Sequence, residues 1–311
     1  MTVKSLNIVF MGNPDFAVPS LERLLNSSHR VSAVVTGPDK RRGRGGKRTP
    51  TPVKLTALNA GIPVLEAEDV RNESFVSRLE ALHPDLFVVV AFKILPPEVL
   101  AIPVVGSVNL HASLLPKYRG AAPIHHAVIH GESETGCTVF MLDQGMDTGA
   151  VLSQTRTPIP TLTTTGELYR QLMNDGAKLL VNTVDEISEG RYSAQPQDSR
   201  LASPAPKITV EDARIDFEKD CVSVHNLIRG MSPVPGAWTN FEGKKIKIFR
   251  SEPAPNINLP PGRAELISGS GYAGCISGSI TLLEIQLEGK RPMKGYDFLN
   301  GTGGRAQFLK R

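Results

Sequence analysis

The stretch Asn109-Leu110-His111-Ala112-Ser113-Leu114-Leu115-Pro116-Lys117-Tyr118-Arg119-Gly120-Ala121-Ala122-Pro123 decides how the fold is read. Just before it, Val104, Val105 and Val108 predict a short buried strand that ends at Asn109 and His111. Side chains alternate along a strand, so these two residues project to the same side. In an open α/β sheet, ligands gather beyond the carboxyl ends of the strands. An amide and an imidazole aimed into one crevice can donate to a developing oxyanion and move a proton. Pro116, Gly120 and Pro123 then impose an irregular loop on the chain. A histidine merely satisfied at a strand end would look the same from this pair alone. The functional reading gains from a second element, Asp143-Gln144-Gly145-Met146-Asp147-Thr148-Gly149, an acidic loop directly after the apolar strand pattern Thr138 to Leu142.

Outward from this centre, the pattern alternates strand and helix. Leu6 to Met11 predicts a buried parallel strand, and Pro14 opens a helix with Phe16, Leu21, Leu24 and Leu25 on its apolar face. Val31 to Val35 is a second strand and Val64 marks a third, while Leu86 to Ala91 is wholly apolar. Asn72 predicts a helix cap, with the helix running to about Leu82. Strands alternating with helices indicate a Rossmann-like α/β fold, a mostly parallel sheet with helices on both faces. Gly12-Asn13-Pro14 lacks the further glycines of a dinucleotide fingerprint, and Gly43 to Lys47 lacks P-loop spacing, so neither NAD nor ATP is indicated.

Beyond a long amphipathic helix from Thr165 to Glu189, residues 193–206 are polar and proline-rich and read as a linker. Then come a helix (Val222 to Arg229) and five short strands, at 237–241, 245–249, 264–268, 274–277 and 280–287. Their spacing predicts a small OB-like β-barrel. The expected organisation is therefore 1–192 as a catalytic domain, 193–206 as linker and 207–311 as barrel.

Composition bounds the class. At 311 residues with 40% apolar and 21% charged content, the chain is that of a globular protein with a sizeable core. No segment has the length of a membrane span and no signal-peptide pattern opens the chain, which predicts a cytoplasmic location. Three widely separated cysteines, Cys137, Cys221 and Cys275, suggest neither a disulfide framework nor a zinc pair. His126 and His130 stand at helical spacing, but no third ligand is placed, so no metal is expected. The net charge is +4, with 15 basic against 11 acidic residues in 207–311. Between Thr36 and Lys54 stand Lys40, Arg41, Arg42, Arg44, Lys47, Arg48 and Lys54 against only Asp39, an electrostatic footprint for phosphates.

Asn109-x-His111 with the adjoining SLLPKYRGAAPI, together with Asp147 in D-x-G-x-D-T-G, resembles the 10-formyltetrahydrofolate-dependent formyltransferase family. The resemblance runs from FMGNPDFA to QLEGKRPM, and the later segments narrow it to the members acting on methionyl initiator tRNA. It implies formyl transfer from 10-formyltetrahydrofolate to the methionine α-amine, with Asn109, His111 and Asp147 as the catalytic trio. It places folate at Ser113, Leu114, Leu115 and Pro116 and at Phe92, Ile94 and Leu95. Phe92-Lys93 departs from the family's usual Tyr-Gly. The resemblance implies tRNA contact by the basic loop, with Arg44 at the family's arginine position and Arg41, Arg42 and Lys47 beside it. Further contact is expected from Lys207 and Lys245. EDARIDF and IRGMSPVPGAWT look like the family's second-domain signatures, with Val234 where the family often has tryptophan. A monomer using neither metal nor NAD is expected. Two other readings stand beside this one: another folate-dependent formyltransferase or hydrolase, and a non-catalytic RNA-binding protein.

Overall fold

The computed structural model describes residues 5–42 and 46–308. The chain packs as two compact units, Met1–Gly120 with Gly136–Thr157 and Arg170–Pro204, and Ala121–Thr135 with Pro158–Tyr169 and Ala205–Arg311.

Among the described residues, the first unit is built on nine strands. They are β1 (Asn7–Gly12), β2 (Arg30–Thr36), β3 (Lys40–Arg42), β4 (Lys47–Thr49), β5 (Val64–Glu66), β6 (Leu86–Val90), β7 (Gly106–His111), β8 (Glu134–Met141) and β9 (Val151–Pro158). Seven form one sheet in the order β5-β2-β1-β6-β7-β8-β9. The pairs from β5 through β7 are parallel, and β7 pairs β8 antiparallel. In β1, Val9 and Met11 face a cluster containing Phe75, Leu79, Phe87 and Val99, while Ile8 and Phe10 on the opposite side are equally buried. Both faces of the sheet are therefore covered, as its near-continuous apolar strands require.

The helices are α1 (Val18–Leu25), α2 (Pro52–Asn59), α3 (Glu73–Glu80), α4 (Pro97–Leu100), α5 (Pro123–Ile129) and α6 (Thr165–Ser188). Asn72 caps α3 as expected, its side chain accepting from the Phe75 N–H at 3.2 Å. Two details differ from the sequence reading. Val104 lies before β7 and is exposed, because the strand starts at Gly106. The basic loop is partly a hairpin, β3 against β4, with Arg41 opposite Arg48.

The second unit holds α5, α7 (Cys221–Met231), α8 (Gly295–Gly301) and, among the described residues, an antiparallel sheet of seven strands. These are β10 (Ala237–Phe241), β11 (Lys244–Ala254), β12 (Arg263–Ile267), β13 (Ser270–Gly274), β14 (Ser279–Leu287), β15 (Met293–Lys294) and β16 (Arg305–Gln307). The order is β10-β11-β14-β13-β12-β16, with β15 against β14, around a core that includes Phe217, Ile228, Ile246, Ile285 and Phe308. This is the expected barrel-like sheet, with seven strands rather than five. The strand expected at 274–277 is instead the turn after β13, whose Ser-Gly-Tyr-Ala-Gly composition hides its alternation. A side chain at Gly274 would meet the Pro260 carbonyl oxygen at 2.3 Å, so close backbone approach demands the glycine. β15 and β16 have two and three residues, too few for a period to show.

Candidate active site

The site lies within the first unit, at the carboxyl ends of the parallel strands β6 and β7, together with the loop that follows β8. Register sets Val89 beside Asn109 and Asn109 beside Phe140, so two neighbouring strands fix the position of the Asn109 backbone. Asn109 lines a pocket with Asp147, and the rim includes Phe92, Ile94 and Leu95. His111, two residues further along β7, is 7% exposed.

The imidazole is oriented on both sides. Nε2 lies 2.8 Å from the Tyr118 carbonyl, which can only accept, so Nε2 carries the hydrogen. In the neutral ring Nδ1 is then the basic nitrogen, and it faces the Asp147 carboxylate with Oδ2 at 3.7 Å. That distance is too long for a hydrogen bond but leaves a carboxylate beside any proton taken up at Nδ1. The same Oδ2 accepts from the Gly120 N–H at 2.8 Å. Tyr118 and Asp147 both adopt left-handed backbone, φ 61° and 55°. For non-glycine residues this costs roughly 1–2 kcal/mol each, so surrounding contacts hold them there.

Ser113 to Pro116 do not line this pocket; their polar groups serve the scaffold. The Leu115 N–H donates to Thr138 Oγ1 at 3.1 Å, and that hydroxyl donates to the Ser113 carbonyl at 2.7 Å. Gln154 Nε2 donates to the Leu115 carbonyl at 2.9 Å, and Ser113 Oγ donates to the Lys117 carbonyl at 2.7 Å. Leu115 is buried and Leu114 and Pro116 are half-buried. Lys93 lines the pocket with its stem, and its ammonium donates to the carbonyls of Ala67 at 2.9 Å and Glu68 at 2.6 Å.

Three residues that the sequence reading missed join the loops around the trio. Ser203 Oγ accepts from the Tyr118 N–H at 2.9 Å. Arg119 donates through Nε and Nη2 to Gln197 Oε1 at 3.1 and 2.7 Å. Gln197 Nε2 in turn donates to the carbonyls of Asp147 at 2.9 Å and Gly149 at 2.7 Å. The stretch read as a linker is therefore hydrogen-bonded to the site's loops at Gln197 and Ser203, and to β9 at Gln195. Its composition carries no signal of this, since Gln, Ser and Pro are also what a free spacer contains.

The basic residues occupy several distinct places. Arg41 is an exposed residue of β3, Arg42 and Lys47 lie on the hairpin strands, and Arg44 lies outside the described residues. Lys54 does not join them, because its ammonium is held by Asp39 at 2.7 Å and Glu66 at 2.5 Å. In the second unit Lys207 is exposed, and the Lys245 ammonium stacks 4.0 Å from the Trp238 ring centroid. Among the described residues no group of three or more His, Cys, Asp or Glu could hold a metal ion. His126 and His130 donate instead to the carbonyls of Pro206 and His126. Burial pushes the Cys137 thiol up to about 12, which keeps it from acting as a nucleophile. No helix of the described residues is long and apolar enough to cross a membrane.

A parallel sheet with an amide, an imidazole and a carboxylate at its strand ends, with a barrel-like sheet later in the chain, is the architecture of one class. Residues 6–184 match the formyl transferase model and residues 207–303 match that of the formyl transferase C-terminal domain, and the chain belongs to this family. Its similarity extends to particular members. A methionyl-tRNA formyltransferase of Chlorobium phaeovibrioides is 46% identical over 316 residues, covering 99% of each chain. One from Pelotomaculum thermopropionicum is 43% identical over 306 residues, covering 96% of each. Solved structures share the fold at lower identity. An N-formyltransferase from Helicobacter canadensis, in complex with folinic acid and dTDP-3-aminofucose, superposes with a TM-score of 0.67 at 23% identity, covering 89% of this chain and 98% of its own. HypX from Aquifex aeolicus with tetrahydrofolic acid gives 0.65 at 17% identity, covering 95% of this chain and 47% of its own.

Proposed function

We propose that this chain transfers the formyl group of 10-formyltetrahydrofolate to the α-amino group of methionine esterified to initiator tRNA. The observation that carries the reading is that Asn109 and Asp147 line one pocket of the first unit, with His111 Nδ1 3.7 Å from the Asp147 carboxylate. The amine nitrogen attacks the formyl carbon, the carbonyl oxygen becomes an oxyanion, and the bond to N10 of the folate breaks. Asn109 donates its amide N–H to that oxygen and cannot act as a base. His111 takes the amine proton at Nδ1, the nitrogen left basic by the Tyr118 contact, and passes it to N10. Asp147 stands beside that proton. Base, oxyanion donor and two substrates suffice for acyl transfer, so the reading calls on neither a metal nor NAD.

The apolar surfaces of Phe92, Ile94 and Leu95 are suited to the folate ring, and Ser113, Leu114, Leu115 and Pro116 are assigned to it as further contacts. Arg41, Arg42, Arg44 and Lys47 receive tRNA phosphates, aided by Lys207 and Lys245. Like charges opposed across a hairpin, as at Arg41 and Arg48, destabilise it until an anion lies on them, which suits a polyanionic partner. On this reading residues 1–192 carry the chemistry, 193–206 connect, and 207–311 assist tRNA binding, in a cytoplasmic monomer.

The test is formylation of methionyl initiator tRNA by wild type beside His111→Ala. Turnover by wild type with a loss of about 10²–10⁴-fold in kcat for the variant is expected. Formate release without tRNA formylation would refute the substrate assignment. Arg44→Ala is expected to raise KM for charged tRNA while leaving folate use unchanged; equal loss toward both substrates would refute its role.

A further inference from the structure

Gln197 lies outside the trio, in the proline-rich stretch, yet its amide is fully used. Oε1 accepts from two guanidinium nitrogens of Arg119, and Nε2 donates to the Asp147 and Gly149 carbonyls. Only one orientation of the amide satisfies these partners. The flipped amide would face nitrogen donors to the guanidinium and an oxygen to two carbonyls.

The two loops it joins have different tasks. The loop after β7 carries Tyr118, which orients His111, and Gly120, whose N–H holds the Asp147 carboxylate. The loop after β8 carries Asp147 itself. That second loop is otherwise tied to itself, Asp143 accepting from the Gly145 N–H at 2.9 Å and from Thr148 Oγ1 at 2.7 Å. Self-ties give a loop its shape but do not set its distance from His111. Asp147 also sits at φ 55°, a left-handed conformation that aspartate tolerates better than most non-glycine residues but that still has to be held by its contacts.

We infer that Gln197 is a positioning residue for the formyl transfer, setting the Asp147 carboxylate against His111 by bridging Arg119 to the Asp147 backbone. The inference rests on the reading of Asn109, His111 and Asp147 as the catalytic trio. It makes the stretch between the two family matches part of the active-site frame. A shift of about 1 Å in a catalytic group costs up to about a hundredfold in rate, so the bridge has a measurable consequence.

The test uses the full chain with Gln197→Glu and Gln197→Ala. Glutamate keeps an acceptor for Arg119 but turns an oxygen toward two carbonyls, so it breaks the bridge on the Asp147 side alone. The expected result is a fall in kcat of roughly ten- to a hundredfold for both variants, with KM for each substrate within about twofold. Amide exchange of the peptide containing Gly120 should quicken in both, because its acceptor has moved. Unchanged kcat per folded molecule would overturn the inference, whatever happens to the melting temperature. Unchanged Gly120 protection would overturn it as well. Asp147→Asn run in parallel separates this inference from the reading beneath it. If that variant keeps full turnover, the trio assignment itself is wrong; if it loses turnover while the Gln197 variants do not, only the bridge is refuted.

Discussion

Left-handed backbone at non-glycine residues occurs in both units, for opposite reasons. In the second unit it falls at Glu242 and Ser268, φ 47° and 48°, each with a left-handed glycine next in the chain. These are two-residue hairpins, closed by Phe241 opposite Lys244 and Ile267 opposite Ser270. Positive φ at both central residues is what matches the twist of the flanking strands. There the strain is a local requirement of chain reversal, and the side chain bearing it points to solvent. In the first unit it falls once at a chain reversal, His83 after α3, φ 46°, and otherwise at Ala91, Tyr118 and Asp147, φ 50°, 61° and 55°, in the segments that follow β6, β7 and β8. None of the latter three is succeeded by a left-handed residue of a tight hairpin. At Tyr118 and Asp147 the strain is maintained by long-range contacts and leaves a carbonyl and a carboxylate aimed at His111. The same backbone state is a turn device in one place and a positioning device in the other.

Three substitutions would break or sharpen that contrast. The largest effect is expected at Asp147→Gly. Glycine relieves the left-handed strain but removes the carboxylate, and its greater unfolded-state entropy offsets part of the gain. Stability should stay within about 1 kcal/mol of wild type while kcat falls by about two orders of magnitude or more. Denaturant melts and steady-state kinetics check this, and a fully active Asp147→Gly would end the distinction.

The second effect is intermediate and confined to the second unit. Glu167 begins α6, accepting from the N–H and hydroxyl of Thr164 at 2.9 and 2.8 Å and pairing with Arg250. Burial alone would push its carboxyl up, but these donors hold it down at about 2 against an ordinary 4.5. A carboxylate depressed in the folded state stabilises it above the ordinary value, and that contribution is lost as pH falls through about 4.5 toward 2. Glu167→Gln should cost about 1 kcal/mol at neutral pH, the size of a lost cap once the partial exposure of the ion pair is allowed for. It should also flatten the loss of stability between about pH 5 and pH 2, with kcat at neutral pH unchanged. Melts across pH decide it, and an unaltered acid slope would refute the role.

The smallest effect is expected at Glu242→Asn, which puts a residue tolerant of left-handed backbone before Gly243. It should stabilise by a few tenths of a kcal/mol without touching activity. A change in kcat there would mean that this hairpin is more than a turn.

Much of this was legible along the chain. Apolar runs such as Leu86 to Val90 and the alternation of strand with helix marked the parallel sheet, because burial on both faces leaves a continuous signature. Asn109 and His111 were legible as a pair because a strand sends alternate residues to one side. Asn72 was legible as a cap from its residue type alone. Less visible were β13, where glycines replace side chains, and the hairpin in the basic loop, whose cations mask strand propensity. Lys54 shows the same limit, since its charge joined the basic cluster in sequence but is neutralised by Asp39 and Glu66 in space.

By itself the sequence determined which chemistry is available, an amide, an imidazole and a carboxylate near strand ends, because residue type and local periodicity are written into the chain. The tertiary structure alone decided which imidazole nitrogen is free, through the Tyr118 carbonyl. It also decided which groups the backbone and hydroxyl of Ser113 and the backbone of Leu115 bond to, and that Gln197 reaches Arg119 across 78 residues and Asp147 across 50. Contacts at such separations obey no period and no composition. They exist only once the sheet has brought its loops to one edge, where hydrogen-bond geometry rather than propensity selects the partners.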